Sequence, residues 1–437
     1  MDKQVVFSIL NSEMELATGC TEPAAIALAA ADAGIRIRNL GEEVLSLAVS
    51  ASVNIIKNAM AAGIPGTSYT GIEYASALGA TGGNPDDKLL VLDKINPKSY
   101  QKAEALVKSG NVKLSVSKVA EVLYIDIVAK SEHHVSHSTI SQSHTNIVLR
   151  EFDGIPLSLG KETNQKQGVV AVTPEMISQN LSIARIFHFI DEEMHFPEDR
   201  IPIIGKSIKI NSAISMEGMK NPYGLETGRT LEQVCKDGFK TMDMSTQAIV
   251  DTTAGVDARM AGAPYPVVTN SGSGNQGITA TMPVVSVAKW LKIPEEKMFR
   301  AVTLSNLMAI YIKSHFGRLS ALCGATVASI GAACGITYLF GGGLTEINNT
   351  IQNMIGNLTG MVCDGAKADC AFKVSSCVNA AIQSSIMAMK GIRVKDTDGI
   401  VEDDAEKTLR NFTDLGVKGS AKLDEIILQM LLDKNKQ

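Results

Sequence analysis

Five of the seven cysteines in this 437-residue chain, Cys323, Cys334, Cys363, Cys370 and Cys377, crowd into one short stretch, while Cys20 and Cys235 stand alone. A thiolate can hold a metal or take a proton, but a buried cysteine is also a small inert hydrophobe. The run Thr359-Gly360-Met361-Val362-Cys363-Asp364-Gly365-Ala366-Lys367-Ala368-Asp369-Cys370 bears on that choice. On one continuous helix, thiols seven residues apart share a face but lie about 10.5 Å apart along the axis, too far for one compact cluster. Gly360 and Asp364-Gly365 break the helix, which puts Cys363 on a loop and Cys370 at the next helix start. A looped Cys363 can fold back towards Cys370, and a thiolate from the Leu322-Cys323-Gly324 turn would complete a three-cysteine metal or iron–sulfur site. A helix N-terminus at Cys370 is expected to lower its thiol pKa. Cys334 and Cys377 follow their neighbours by whole helical turns and read as core. Spacing alone leaves metal site and inert thiols both open.

Three further motifs carry polar chemistry. Gly272-Ser273-Gly274-Asn275-Gln276-Gly277 matches GxGxxG before a helix, but the alternating strands and ribose-binding acid of a dinucleotide fold are missing around it. The favoured reading is a backbone N–H nest at Ser271, Gly272, Ser273, Gly274 and Asn275 for a substrate carboxylate; the bland one is a glycine-rich turn. Lys57, in Asn54-Ile55-Ile56-Lys57-Asn58 ahead of Gly63-Ile64-Pro65-Gly66, could bind substrate, form a pyridoxal-phosphate Schiff base, pair with a carboxylate or sit on the surface. His144, between Ser143 and Thr145, is a structural histidine or part of a polar ligand pocket. His133, His134 and His137 lack the neighbours of a metal motif.

The elements that must position these groups fall into three parts. Residues 1–40 read as helical, broken at Thr18-Gly19-Cys20 and restarting at Thr21-Glu22-Pro23, and are expected to pack on the C-terminal domain. Residues 41–173 alternate as strands at Val44–Ser50, Val112–Val128 and Ser136–Val148, with helices between, giving an α+β domain with a small, mostly antiparallel sheet. Residues 174–437 form a large, predominantly α-helical domain, with helices at Pro174–Glu192, Thr230–Thr252, Gly277–Leu291, Glu295–Ser314, Leu319–Leu339, Leu344–Leu358, Asp369–Met389 and Asp403–Asn411. The fold class is therefore α+β.

Composition narrows the function. Aromatics are 5% of the chain and glycines number 37, so helix backbones must pack closely through small side chains. A net charge of −5 offers no basic excess for nucleic acid. The charge-free stretch from Leu319 to Thr345 is long enough to span a bilayer, but its glycines and hydroxyls and its lack of an aromatic belt favour a buried central helix. Met1–Gln4 starts no signal peptide, so a cytoplasmic, reducing compartment is expected.

Thr18-Gly19-Cys20-Thr21-Glu22-Pro23, the NIIKNAMAAGIPG and NSGSGNQG segments, Leu322-Cys323-Gly324 and MVCDGAKADC, in this order, resemble the L-cysteine desulfidase family, which is related to the α chain of iron–sulfur L-serine dehydratases. The resemblance implies a cytoplasmic enzyme with one [4Fe–4S] cluster per subunit, readily lost to oxygen, that cleaves L-cysteine to hydrogen sulfide, ammonia and pyruvate. It implies Cys323, Cys363 and Cys370 as cluster ligands and Cys20 as the catalytic thiol. In the serine dehydratases a longer, proline-containing segment separates the two later ligands; here only Asp364–Asp369 intervene, which favours cysteine over serine. Ser143-His144-Thr145 is similar to a serine-rich substrate motif of those enzymes. The expected partner is a small amino-acid substrate, with no nucleic acid or membrane, and a homo-oligomer is expected. The alternatives are L-serine dehydration and a non-catalytic iron–sulfur or thiol redox sensor.

Overall fold

The computed structural model describes residues 2–157, 172–316, 322–419 and 422–434. Helix α1 (Lys3–Glu13), capped by Asp2, leads into a short strand β1 (Leu16–Thr18) and then α2 (Thr21–Arg38). Strand β2 (Ser46–Ala51) and helices α3 (Val53–Ala59), α4 (Ile72–Gly82) and α5 (Pro97–Lys108) follow. Helix α5 starts where sequence dictates: the Asn96 side chain accepts from Ser99 N–H at 3.0 Å, and Pro97 fills the first helical position. The sheet continues with β3 (Val112–Val116), β4 (Tyr124–Lys130), β5 (Val135–Ser141), β6 (Ile147–Phe152) and β7 (Ile155–Pro156).

Those six strands run in the order β3-β2-β4-β5-β6-β7, antiparallel except for the parallel β2–β3 pair. The alternating run from Val112 to Val128 is two strands, with Ser117 to Leu123 looping between them, and the third run likewise turns between β5 and β6. One sheet face is covered by α2, whose alanine-rich surface also packs on α4. A Cβ placed on Gly79 would lie 2.2 Å from the Ala27 carbonyl oxygen, so the two helix backbones nearly touch. A buried ion network fixes α2 in place. Asp32 accepts from Arg36 and Arg150 at 2.8 Å each and from Ser138 at 2.9 Å, while Arg36 also reaches Ser136 and the His137 carbonyl.

The remaining elements are almost all helical: α6 (Pro174–Asn180), α7 (Ile183–His188), α8 (Pro202–Lys220), α9 (Thr227–Lys236), α10 (Met244–Met260), a short strand β8 (Pro266–Val268), then α11 (Gly274–Trp290) and α12 (Glu295–Ser314). They end with α13 (Gly324–Leu339), α14 (Leu344–Leu358), α15 (Cys370–Met389), α16 (Ala405–Asp414) and α17 (Leu423–Lys434). Every residue of α13 from Ala325 onward is buried among α11, α12, α14 and α15. Residues 319–321, where that helix was expected to begin, lie outside the described residues. Among the described residues, no helix is long and apolar enough to cross a membrane.

Three departures from the sequence reading have physical causes. Helix α8 is not anticipated, because its half-buried face spreads apolar and polar residues without a clean stripe. The expected helix Thr230–Thr252 is two helices, α9 and α10, broken at Gly238, whose φ of +82° no helix accommodates. The first forty residues do not pack as one unit on the helical part: α1 joins the helical core, whereas the alanine face of α2 joins the core under the sheet.

Candidate active site at a junction of helix N-termini

Strand β1 pairs antiparallel with β8, with Leu16 opposite Val268, and the ladder is extended by Thr269 N–H to Glu15 O and Ser271 N–H to Glu13 O, each 2.8 Å. This ribbon delivers Cys20 beside the loop that opens α11. At Gly19 the chain turns with φ +70°, and a Cβ there would lie 2.6 Å from Pro65 Cγ, so only glycine lets the Gly63–Gly66 loop close over the turn. Cys20 then occupies the N-cap position of α2, 2% exposed. Burial pushes its thiol up to about 12; Arg259 is the charge that opposes this, while Glu22 and Cys370 reinforce it.

The other thiols come from two loops joined by an isolated antiparallel bridge between Leu322 and Val362, with Cys323 N–H donating to Met361 O at 3.0 Å. Cys323 is the N-cap of α13 and Cys370 opens α15. The loop between Cys363 and Cys370 is tied down from both sides. Lys57, 2% exposed, donates to the Cys363 carbonyl at 3.2 Å and pairs with Asp424 of α17. Gly365, with φ +104°, brings its backbone so near that a Cβ would sit 2.6 Å from Lys57 O. On the other side Lys373 donates to Val362 O at 2.9 Å and pairs with Asp364, which also pairs with Lys367. Burial alone would raise the Asp364 carboxyl, but these two lysines bring it down to about 2.

Cys363 and Cys370 are thereby close enough to Cys323 to act on its ionisation. Burial pushes the Cys323 thiol far up, and Cys363, Cys377 and Cys370 add to the effect. The Cys370 thiol is raised too, contrary to the expected lowering, because burial outweighs the Lys367 backbone hydrogen bond at the start of α15. Among the described residues no three His, Cys, Asp or Glu side chains converge as ligands of a single metal ion. A cubane makes a different demand, since each thiolate binds its own iron at a separate corner. Three neighbouring cysteines, spread around a junction and free of disulfides, are a donor set of the kind a cubane takes.

The loop before α11 has Ser271 at φ +49° and Gly272 at φ +79°, two successive left-handed residues, but the expected nest is smaller than five N–H groups because Ser271 N–H donates to Glu13 O at 2.8 Å and Ser273 N–H to Asn270 O at 3.0 Å. Ser273 caps α11 by accepting from Gln276 N–H at 3.4 Å. The first-turn N–H groups at Gly274 and Asn275 have no intrahelical acceptor. Under this turn lies Arg259, at the end of α10 and 3% exposed, which donates to Asn275 Oδ1 at 2.9 Å. A Cβ at Gly274 would lie 2.2 Å from Arg259 Nε, so the glycine makes room for the guanidinium. Asn58, next to Lys57, donates to Glu22 Oε1 at 3.1 Å. Gln276 Nε2 donates to Asn270 Oδ1 at 3.1 Å, and its Oε1 lies 2.9 Å from where a Cβ at Gly324 would be.

The geometry thus brings together Cys20, Cys323, Cys363, Cys370, the Ser271–Asn275 loop and the backbone side of Lys57. The Lys57 ammonium is engaged by Asp424 and a carbonyl, so a substrate or Schiff-base role would have to displace both. His144 is buried in the turn between β5 and β6, and is not among the groups tied to the thiols by the contacts above. Sequence reasoning missed Arg259, Gln276, Asn58 as a polar contact and Lys373. One signal for Arg259 was present: it is the last charged residue before the uncharged stretch Met260–Ala288.

Known proteins resemble this chain along nearly its whole length. A "UPF0597 protein" of Oleidesulfovibrio alaskensis is 42% identical, covering 98% of this chain and 97% of the relative. A UPF0597 protein of Photobacterium profundum is 40% identical over 98% and 97% of the two chains, and one of Parabacteroides distasonis is 38% identical over 99% of each. The family model described as "Serine dehydratase alpha chain" matches residues 86–429, a span that includes the Ser271–Asn275 loop and Cys323, Cys363 and Cys370 but begins after Cys20 and Lys57. The chain belongs to the serine dehydratase alpha chain family.

Proposed function

We propose that this chain is an iron–sulfur-dependent α,β-elimination lyase that converts L-cysteine to hydrogen sulfide, ammonia and pyruvate. The observation that carries this reading is the gathering of Cys20 with Cys323, Cys363 and Cys370 at the N-termini of α2, α13 and α15, in a member of the serine dehydratase alpha chain family. Cys323, Cys363 and Cys370 would hold a [4Fe–4S] cluster, which supplies Lewis acidity to the leaving sulfur through an iron that lacks a protein ligand.

The remaining work falls to the chain itself. The first-turn N–H groups of Gly274 and Asn275 receive the α-carboxylate together with Arg259, which reaches the same turn through Asn275 Oδ1. Cys20 takes the α-proton, with Arg259 as the charge favouring its thiolate. Loss of the Cα proton and of the Cβ–S bond yields hydrogen sulfide and aminoacrylate, which water converts to pyruvate and ammonia. Lys57 and Lys373 hold the Cys363 loop in place through its carbonyls. Burial of Cys20 and Arg259 keeps bulk water from the proposed base and its neighbouring charge.

The family name favours a second reading, dehydration of L-serine at the same site. The test is anaerobic reconstitution with iron and sulfide, followed by assays of pyruvate and sulfide from L-cysteine and of pyruvate from L-serine. Turnover of cysteine well above serine is the expected result. Preference for serine establishes the second reading, and a reconstituted cluster without pyruvate from either substrate overturns both in favour of a sensor.

A further inference from the structure

We propose that Arg259, Gln276 and Asn58 form the recognition site for the zwitterionic head group of an α-amino acid, the guanidinium taking the carboxylate and the two amide oxygens taking the ammonium. The inference deepens the lyase reading and rests on it for the identity of the reacting molecule.

Arg259 is 3% exposed and, among the described residues, has no carboxylate within ion-pair reach. Its oxygen partner is Asn275 Oδ1, and its Nε makes no hydrogen bond among the described residues. A guanidinium has five N–H donors in a planar fork, and burying one without an anion is heavily disfavoured. The half-buried Arg36 elsewhere in the molecule obeys that rule, with Asp32, Ser136 and a carbonyl as its acceptors. An anion supplied from outside would complete Arg259 in the same way, and a bidentate carboxylate fits the fork.

Two acceptors are left over as well. Gln276 is held by its nitrogen, which donates to Asn270; Asn270 in turn donates to Asn306 and accepts from Ser271. Asn58 is held by its nitrogen too, which donates to Glu22. These partners fix both amide orientations. Gln276 Oε1 and Asn58 Oδ1 make no hydrogen bond among the described residues, although the side chains are 1% and 9% exposed. An ammonium, with three donors and no acceptor, suits two such oxygens. A plain carboxylate would leave the amide oxygens unmet, and a plain amine would leave the guanidinium unmet. A molecule carrying both charges satisfies the whole set at once. Asn58 is bonded to Glu22, two residues past Cys20, and Gln276 stands against Gly324, one residue past Cys323. A head group held there is flanked by the proposed base and the proposed cluster ligands.

The test uses the full chain, cluster-free and reconstituted, in anaerobic thermal unfolding with L-alanine, propionate or ethylamine at constant ionic strength. L-Alanine carries the head group but no leaving group. It is expected to raise the wild-type midpoint, with propionate and ethylamine acting at least about tenfold more weakly. Arg259→Gln is expected to weaken L-alanine about 10- to 100-fold, and Gln276→Leu by a smaller factor. Should Arg259→Gln fail to unfold cooperatively, Arg259→Lys, which keeps the charge but not the fork, and Gln276→Leu carry the comparison. An unmoved wild-type midpoint in both preparations, or L-alanine affinity within twofold of wild type in these variants, overturns the inference. Binding of L-alanine through Arg259 without any elimination sinks only the lyase reading. Elimination with an unchanged KM in Arg259→Gln sinks only this inference.

Discussion

The polar cluster around Asp32 and the one around Arg259 both place arginine against the core, and they differ in whether their hydrogen bonds close. Under the sheet, Asp32 binds Arg36, Arg150 and Ser138, and Arg36 finds Ser136 and the His137 carbonyl besides. At the junction of helix N-termini, Arg259 has an amide oxygen and no carboxylate, and Arg259 Nε, Gln276 Oε1 and Asn58 Oδ1 have no partner among the described residues. A closed network does its work within the fold, locking α2 to the sheet. An open one costs stability unless something else completes it, which marks it as a place for a ligand. The lesson is that burial alone does not identify a site; the unmet donors and acceptors do.

Cys363→Ala tests the open cluster most severely. After anaerobic reconstitution it is expected to lose both the visible absorbance of a cluster and all turnover; retained iron and activity would remove Cys363 from the ligand set. Cys20→Ala is expected to keep its iron while turnover falls roughly 10²–10⁴-fold, the range for losing a general base. Loss of iron in that variant would instead make Cys20 a ligand. The closed cluster should behave in the opposite way. Asp32→Ala strands Arg36 and Arg150 and is expected to lower stability by about 3–5 kcal/mol, with KM of the folded protein unchanged. A shifted KM at undiminished stability would erase the distinction between the two clusters.

How much of this was visible in the sequence depended on whether the signal was local. Cap residues are local, yet the helix expected from Asp403 to Asn411 starts at Ala405 behind the Asp404 cap and runs on to Asp414. The α+β class was legible from the alternation at Val44–Ser50 and Val112–Val128, where β2 and the β3 and β4 pair lie. The loop character around Cys363 followed from Gly360 and Gly365. The pairing of β1 with β8 was not legible, because a three-residue strand has no period and its partner lies some 250 residues away. Arg259 was missed for a related reason. Its meaning comes from the absence of a carboxylate around it, and only tertiary structure shows what a side chain lacks. Neither Gln276 nor Asn58 differs in sequence from an ordinary surface amide.

Asp257 provides the finest test of the comparison, for it is a buried carboxylate with no ion-pair partner among the described residues. It lies 1% exposed on α10, two residues before Arg259, and accepts from Thr227 Oγ1 at 3.3 Å and Gly228 N–H at 3.2 Å at the start of α9. Burial pushes its carboxyl up to about 6, only partly offset by those donors. An unfolded aspartate titrates near 3.9, so between roughly pH 4 and 6 the folded chain keeps a proton that the unfolded chain has lost. Stability must therefore fall as pH rises through that window, by about 3 kcal/mol from this group, and level off above it. Asp257→Asn removes the titration. Its unfolding midpoint relative to wild type is expected to climb between pH 4 and pH 7, measured side by side by urea or heat. A constant difference would mean that the α9 N-terminus fully offsets burial, and Asp257 would then belong with Asp32 among the closed networks.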